Sequence, residues 1–419
     1  MPAPLSLFRL PTFRVVWGSS LAAAGAQWME RVISAWLALG LGGDAIAVGA
    51  TLAVRLVPFV LFGLVAGTVA DRVPRRVVLM AVAAAAALLS LALAALFARG
   101  EAELWHLLAI GLLFGLVQVF DMTARSPFVV DLVEREQATS AIALNAVAQR
   151  LFGAVGAAMG GLVIPTLGVT GGYVVVAALY ATGLLLLALA RAAPRPAARA
   201  GPPVSFRRAL GGTARLLVDN PAIRMIGVAS LACETFGYSH QAALPSLARD
   251  VLRSGPEGLG ALTAASSLGA TLTVVGLSTL PAAVPRQPLL ALALFAWGVA
   301  LALLGGSPIF AASLGLMLLV GACASAADVL NQTIAQMSVS EAERGRAVGV
   351  WVFSIGMNMV GLMQVGTLVV LIGPPLTLIG NGLGAALSAV AIASLAPAYR
   401  FARVRAAPGN AVGPGCSRE

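Results

Sequence analysis

Apolar runs of about twenty residues, separated by short turns in which every basic residue is an arginine, most constrain what this chain can fold into. They fall near 14–40, 46–70, 77–98, 104–125, 138–165, 170–191, 222–246, 258–281, 288–306, 308–330, 346–371 and 375–398. A helix of about 20 residues, at roughly 1.5 Å per residue, crosses the ~30 Å hydrocarbon core of a bilayer. Barrel strands would instead alternate over segments of about 10 residues. The expected fold class is therefore an all-α integral membrane protein with twelve transmembrane helices. The 11% content of charged residues agrees, since a soluble protein carries about 25%. Runs 9 and 10 are parted only by Gly305-Gly306-Ser307-Pro308, a turn signal.

Arginine placement orients the chain. Of its 27 basic residues, 21 fall in segments that share one side of the membrane in the twelve-run reading. Only Arg99, Arg249 and Arg253 fall on the other side, and Arg31, Arg55 and Arg150 lie inside runs. The positive-inside rule makes the arginine-rich side cytoplasmic and predicts that both termini lie there. A net charge of +10 then faces anionic inner-leaflet lipid, with no nucleic-acid partner. The first run is too long for a cleavable signal and follows Arg9 and Arg14.

No cofactor or metal site is expected. Cys233, Cys323 and Cys416 are scattered, with neither disulfide nor metal-ligand spacing. A membrane-embedded enzyme is disfavoured: the chain contains no His-Glu-x-x-His and no Gly-x-Ser-x-Gly. An ATP-driven pump would need a Gly-x-x-x-x-Gly-Lys loop, and the chain has no lysine.

The longest polar stretch, 192–221, reads as a flexible linker ending in an amphipathic helix over Ser205–Asp219 that would lie on the inner leaflet. It divides the chain into two six-helix bundles, 1–191 and 222–398, followed by a cytoplasmic tail over 399–419. Four acids inside runs match this duplication. Glu30 and Glu234 stand 204 residues apart, and Asp121 and Asp328 stand 207 apart. A charge at mid-membrane costs about 2.5–3.5 kcal/mol on insertion scales, so such residues are functional candidates. Glu30 and Glu234 are candidates for proton or substrate coupling. Against that, Glu30 is a structural partner of Arg55 or is neutralised by adjacent Arg31, and Glu234 is a protonated acid bonded to a neighbour. Asp121 and Asp328, near the inner helix ends, are gating candidates. Arg55 and Arg150 either pair with buried acids or recognise an anionic substrate. His106 is expected at the interface, and His240, within two turns of Glu234, is a candidate proton relay.

One decapeptide carries a further pattern: Gly67-Thr68-Val69-Ala70-Asp71-Arg72-Val73-Pro74-Arg75-Arg76. Its order Gly-x-x-Ala-Asp-Arg-x-x-Arg-Arg resembles the loop between helices 2 and 3 of major facilitator transporters, with Pro74 where glycine is usual. Leu7-Phe8-Arg9, Gln27-Trp28, Arg55-Leu56-Val57-Pro58, Ala124-Arg125, Asp131-Leu132-Val133 and Leu144-Asn145 are similar to the branch holding the enterobactin exporter and macrolide-efflux proteins. Gly156-Ala157-Ala158-Met159-Gly160-Gly161 resembles the antiporter motif, with alanine for its proline, and also reads as a helix-packing face on any fold.

The resemblance implies that spans 1, 4, 7 and 10 line a central cavity. It implies that Gly67, Asp71, Arg72, Arg75 and Arg76 form an inner gate latch, the arginines reaching Asp131, Glu134 or lipid phosphates. Setting topology alone is the competing role for that loop. It further implies a monomeric, proton-driven exporter of the bacterial inner membrane working by alternating access, its substrate an amphipathic drug or a secreted metabolite such as a siderophore. A lipid or lysophospholipid transporter is the alternative.

Overall fold

The computed structural model describes residues 4–62, 73–190, 218, 220–279, 281, 284–339 and 344–399. Gly67, Asp71 and Arg72, the linker through 217 with most of its expected amphipathic helix, and the tail from 400 lie outside the described residues. Among the described residues there is no strand.

Ten α-helices of ten residues or more follow one another among the described residues: α1 (Pro11–Gly42), α2 (Ala45–Val54), α3 (Arg75–Arg99), α4 (Leu104–Asp131), α5 (Ala138–Leu189), α6 (Pro221–Ala232), α7 (Gly255–Ser278), α8 (Arg286–Gly306), α9 (Phe310–Met337) and α10 (Arg344–Tyr399). Eight helical segments among the described residues are long and apolar enough to cross a membrane. The Gly305–Pro308 turn does separate two helices, α8 and α9.

Two helices exceed what a membrane crossing needs, α5 with 52 residues and α10 with 56. Each contains one residue that cannot be helical. Gly168 has φ +70° and Gly373 has φ +82°, left-handed values that glycine adopts without penalty. Each break falls between two of the expected runs, and the two stand 205 residues apart, close to the offset of the paired acids. α6 is prolonged by a π-helical turn over Cys233–Gly237, a 3-10 segment over Tyr238–Ala242 and a second π turn over Leu247–Val251.

Small residues set how closely the helices approach. A Cβ on Gly160 would sit 2.8 Å from the Met29 carbonyl oxygen of α1. A Cβ on Gly156 would overlap the backbone of Gly25 outright. Without a hydrophobic drive between helices in lipid, such backbone contact is where association energy comes from. Gly156→Val should therefore cost about 1–3 kcal/mol by overpacking. The check is thermal aggregation of the detergent-solubilised variant; an unchanged midpoint would mean that α1 and α5 can separate freely.

Gly161 faces elsewhere. Its Cβ would lie 3.0 Å from the Cα of Gly260 in α7. A matching seam joins α2 to α10, where a Cβ on Gly49 would meet the Leu362 oxygen at 2.6 Å and one on Gly366 the Ala45 oxygen at 2.6 Å. Both seams lie within a few turns of the helix ends at Gly43, Gly168, Ser254 and Gly373.

Candidate functional site

One stripe of α1 organises the interior. Ser20, Ala23, Ala24, Gln27, Trp28 and Glu30 line one cavity, of about 80 Å³. Trp28, Arg31, Val32 and Ala35 line a second, of about 60 Å³. Steps of three and four residues keep Ser20, Ala24, Gln27, Trp28, Arg31 and Ala35 on one helix face, with Glu30 and Val32 at its edges. Trp28 belongs to both cavities and stands between them, with its indole edge over Gly153 of α5, where a Cβ would lie 2.6 Å from Cδ1.

The first cavity holds two ion pairs, one buried and one half-buried. Arg55 donates to both carboxylate oxygens of Glu30, each at 2.5 Å, and to the hydroxyl of Ser34 at 3.2 Å. The chain places Arg55 there because α2 ends at Val54, just before Pro58, whose ring prevents an unbroken helix. Gly115 of α4 makes the room, since a Cβ there would collide with the Arg55 backbone. Glu30 thus sits in the geometry of a structural pair with Arg55; among the described residues Arg31 makes no hydrogen bond or ion pair with it, although the Glu30 charge acts on Arg31 through space. Asp121 pairs with Arg125 one turn along α4, and Arg125 also donates to the hydroxyls of Ser19 and Ser20. The arginine tally puts Arg125 in an inner loop, but its side chain is only 4% exposed, inside the helix body. The Asp-x-x-x-Arg spacing is the signal for this pair, because residues four apart share a helix face.

Arg31 points to the second cavity. One N–H donates to the Gln118 side chain at 3.0 Å, and its guanidinium lies 5.0 Å from the centre of the Trp28 ring. His240 lines the opposite wall, its Nδ1 bonded to the Gly237 carbonyl at 2.6 Å.

Glu234 lies apart from both cavities, in the π turn of α6. This turn is wedged between Trp297 of α8, whose ring covers Gly237, and Gly361 of α10, whose missing Cβ would approach the Glu234 and Thr235 carbonyls at about 3.0 Å. Glu234 is 6% exposed and makes no ion pair or side-chain hydrogen bond among the described residues. Asp328 of α9 acts on it electrostatically and accepts a hydrogen bond of 2.6 Å from the Tyr238 hydroxyl. Arg150 of α5 forms no ion pair among the described residues, but its charge reaches Asp328 through space. Sequence reasoning misses Tyr238; its position four residues after Glu234 is the available signal.

At the other end of the helices, Arg75 pairs with Asp131 at 2.5 Å, as the expected reach of the latch arginines allows. Arg76 instead caps α5, donating to the Leu187 and Ala188 carbonyls. Cations at a helix C-terminus satisfy its orphan carbonyls and oppose its dipole. All these partners lie before the linker, so these contacts brace the first half of the chain. His106 belongs to a helix start, where its ring accepts the Glu103 backbone N–H at 3.1 Å. Among the described residues no cluster of metal-ligating side chains occurs.

Comparisons with known proteins bear on the family and the fold. The profile of the family described as "Transmembrane secretion effector", a major facilitator family, matches residues 2–407. The enterobactin exporter EntS of Escherichia coli O1:K1 / APEC is 28% identical over 324 residues, covering 77% of this chain and 76% of the exporter. Among solved structures, a mutant of the nucleoside transporter NupG superposes with a TM-score of 0.74 at 17% identity, over 92% of this chain and 98% of that one. A POT family transporter in complex with 5-aminolevulinic acid gives 0.72 at 12% identity, over 93% and 96%.

Proposed function

Because the chain belongs to the transmembrane secretion effector family of the major facilitator superfamily, we propose that it is a proton-coupled exporter working by alternating access. In this reading the breaks at Gly168 and Gly373 each divide two spans, giving twelve in two bundles related by the duplication. The termini lie in the cytoplasm of a bacterial cell, and the protein acts as a monomer in the inner membrane. Its substrate is an amphipathic drug or a secreted metabolite such as a siderophore. The likeness to an enterobactin exporter supports that class.

The observation that carries the proposal is Glu234: a buried carboxyl, free of any ion pair among the described residues, on a π-helical turn. Turns of this kind are frequent at functional sites, because the extra residue re-aims side chains and loosens the local hydrogen-bond ladder. Glu234 with its neighbour Asp328 can take up and release a proton as the two bundles rock. Glu30, held by Arg55 from both oxygens, serves to fix α1 against α2. The glycine seams α5–α7 and α2–α10 close the outer end in this conformation. Cavities of about 80 and 60 Å³ are well below the roughly 300–1,000 Å³ of a ligand pocket, so the substrate enters as the inner ends separate.

The deciding experiment is uptake into inverted membrane vesicles under an imposed proton gradient, screened across drugs, siderophores and lysolipids. Accumulation of one class that collapses with a protonophore is expected. Accumulation indifferent to the gradient would exclude proton coupling, and lysolipids as the only accumulated class would favour lipid transport.

A further inference from the structure

A groove lies where α7 ends and α8 begins, against the last turns of α9. Val274, Leu277 and Leu289 on one side and Val329, Leu330 and Thr333 of α9 on the other line a cavity of about 190 Å³. A second cavity, of about 270 Å³, continues it past Gln287, Ile334, Met337 and Ser338. Both are lined by Val284 and Arg286, so they form one groove, and together they reach the roughly 300–1,000 Å³ of a ligand pocket. None of its lining residues belongs to the two cavities along α1.

Its chemistry is divided along its length. The stretch between α7, α8 and α9 is apolar apart from Thr333, whose hydroxyl donates to the Val329 carbonyl at 2.7 Å. Arg286 stands where the two cavities join, and among the described residues no acid lines either. A guanidinium has five N–H donors, and Arg286 meets the Met337 sulfur, a weak acceptor, at 2.6 Å. Arg286 is also the first residue of α8, a helix of 21 residues that starts without a side-chain cap. The backbone N–H groups of Arg286 and Gln287 therefore have no partner within the helix, at its positive end.

We infer that this groove holds an anionic phospholipid, its phosphate on Arg286 and the start of α8, and one acyl chain laid along Val274, Leu277, Leu289 and Leu330. An arginine and a helix N-terminus each suit a phosphate. A free phosphate would leave the apolar bed unfilled, whereas a lipid covers both ends. The inference rests on the orientation proposed above, which puts these helix ends in the inner leaflet, where anionic lipid lies. Val329 and Leu330 directly follow Asp328 on α9, so the occupant bears on the turn that carries this acid.

The test is native mass spectrometry of the full-length protein in detergent, with dioleoyl phosphatidylglycerol and dioleoyl phosphatidylcholine supplied in equal amounts. The anionic lipid should be retained about fivefold over the zwitterionic one, the effect of one cation at a membrane surface. Arg286→Gln should remove most of this preference, and Arg286→Lys should keep it, because a phosphate also accepts a point charge. Leu289→Trp should lower retention of phosphatidylglycerol with Arg286 intact. Equal retention of the two lipids by the wild type overturns the inference, and that comparison needs no variant to fold. An unchanged preference in Arg286→Gln overturns it as well, and release of the lipid by excess glycerol phosphate would overturn the lipid assignment in favour of a free phosphate. Binding in detergent does not depend on transport or orientation, so its failure leaves proton-coupled export standing. The orientation has its own readout: Gln287→Cys combined with Cys416→Ser should react with a membrane-impermeant maleimide in inverted vesicles and not in right-side-out ones, since Cys233 and Cys323 are buried. The reverse pattern would overturn the orientation and the choice of leaflet.

Discussion

Glu234→Gln should yield a protein that reaches the membrane and melts like the wild type but no longer accumulates substrate in response to a proton gradient. The amide matches the carboxyl in shape, so the packing of the π turn against Trp297 and Gly361 is retained. No ion pair among the described residues is lost with it. What disappears is a proton that can be taken up and released at Glu234, beside Asp328, which accepts from Tyr238. The gradient-driven component of uptake should fall to the level seen with a protonophore, while counterflow exchange of substrate, which moves no net proton, should persist. Full gradient-driven accumulation by this variant would remove Glu234 from the coupling step.

The companion acid should behave in the opposite way. Glu30→Gln should destabilise the fold by about 3–5 kcal/mol, the usual effect of stripping one partner from a buried ion pair. The Arg55 side chain is only 7% exposed, and its other hydrogen bond among the described residues is to Ser34. Its Nε already lacks a partner there, so the site has no spare acceptor to absorb the loss. The expected readout is a lower thermal midpoint and reduced recovery of monodisperse protein. Replacing both members, Glu30→Leu with Arg55→Leu, should restore most of the stability, since a matched apolar pair avoids the uncompensated charge. A single variant as stable as wild type would mean that Arg55 finds another acceptor, and the pair would then not be what fixes α1 to α2.

These contrasting outcomes mark where the sequence stops being informative. Four intramembrane acids, paired at offsets of 204 and 207, are legible because lipid makes every buried charge conspicuous. Their division of labour is not. Glu30 and Glu234 stand 204 residues apart, close to the offset of the other two acids, yet one is clamped by an arginine and the other stands in a π turn. Nothing in the local pattern around Glu234 announces that turn. It arises where the Trp297 ring and the bare α-carbon of Gly361 press on the same stretch of α6. Arg31 shows the same limit. Beside Glu30 in sequence it reads as a neutralising neighbour, but adjacent helical residues point about 100° apart, and it turns to a different cavity.

The sequence by itself determined the class of fold and, outside the irregular stretches of α2 and α6, most helix limits to within about three residues, while α4 and α9 run six and seven residues past their expected ends at 125 and 330. Both follow from local physics, the match of apolar length to bilayer thickness. Only the tertiary structure decided which acid meets which arginine and which glycine admits which helix. Those depend on how each helix is rotated and set in depth against its neighbours, and that is fixed by contacts between residues far apart in the chain. The Glu30–Arg55 pair, 25 residues apart, and the Gly161–Gly260 contact, 99 apart, are two such cases.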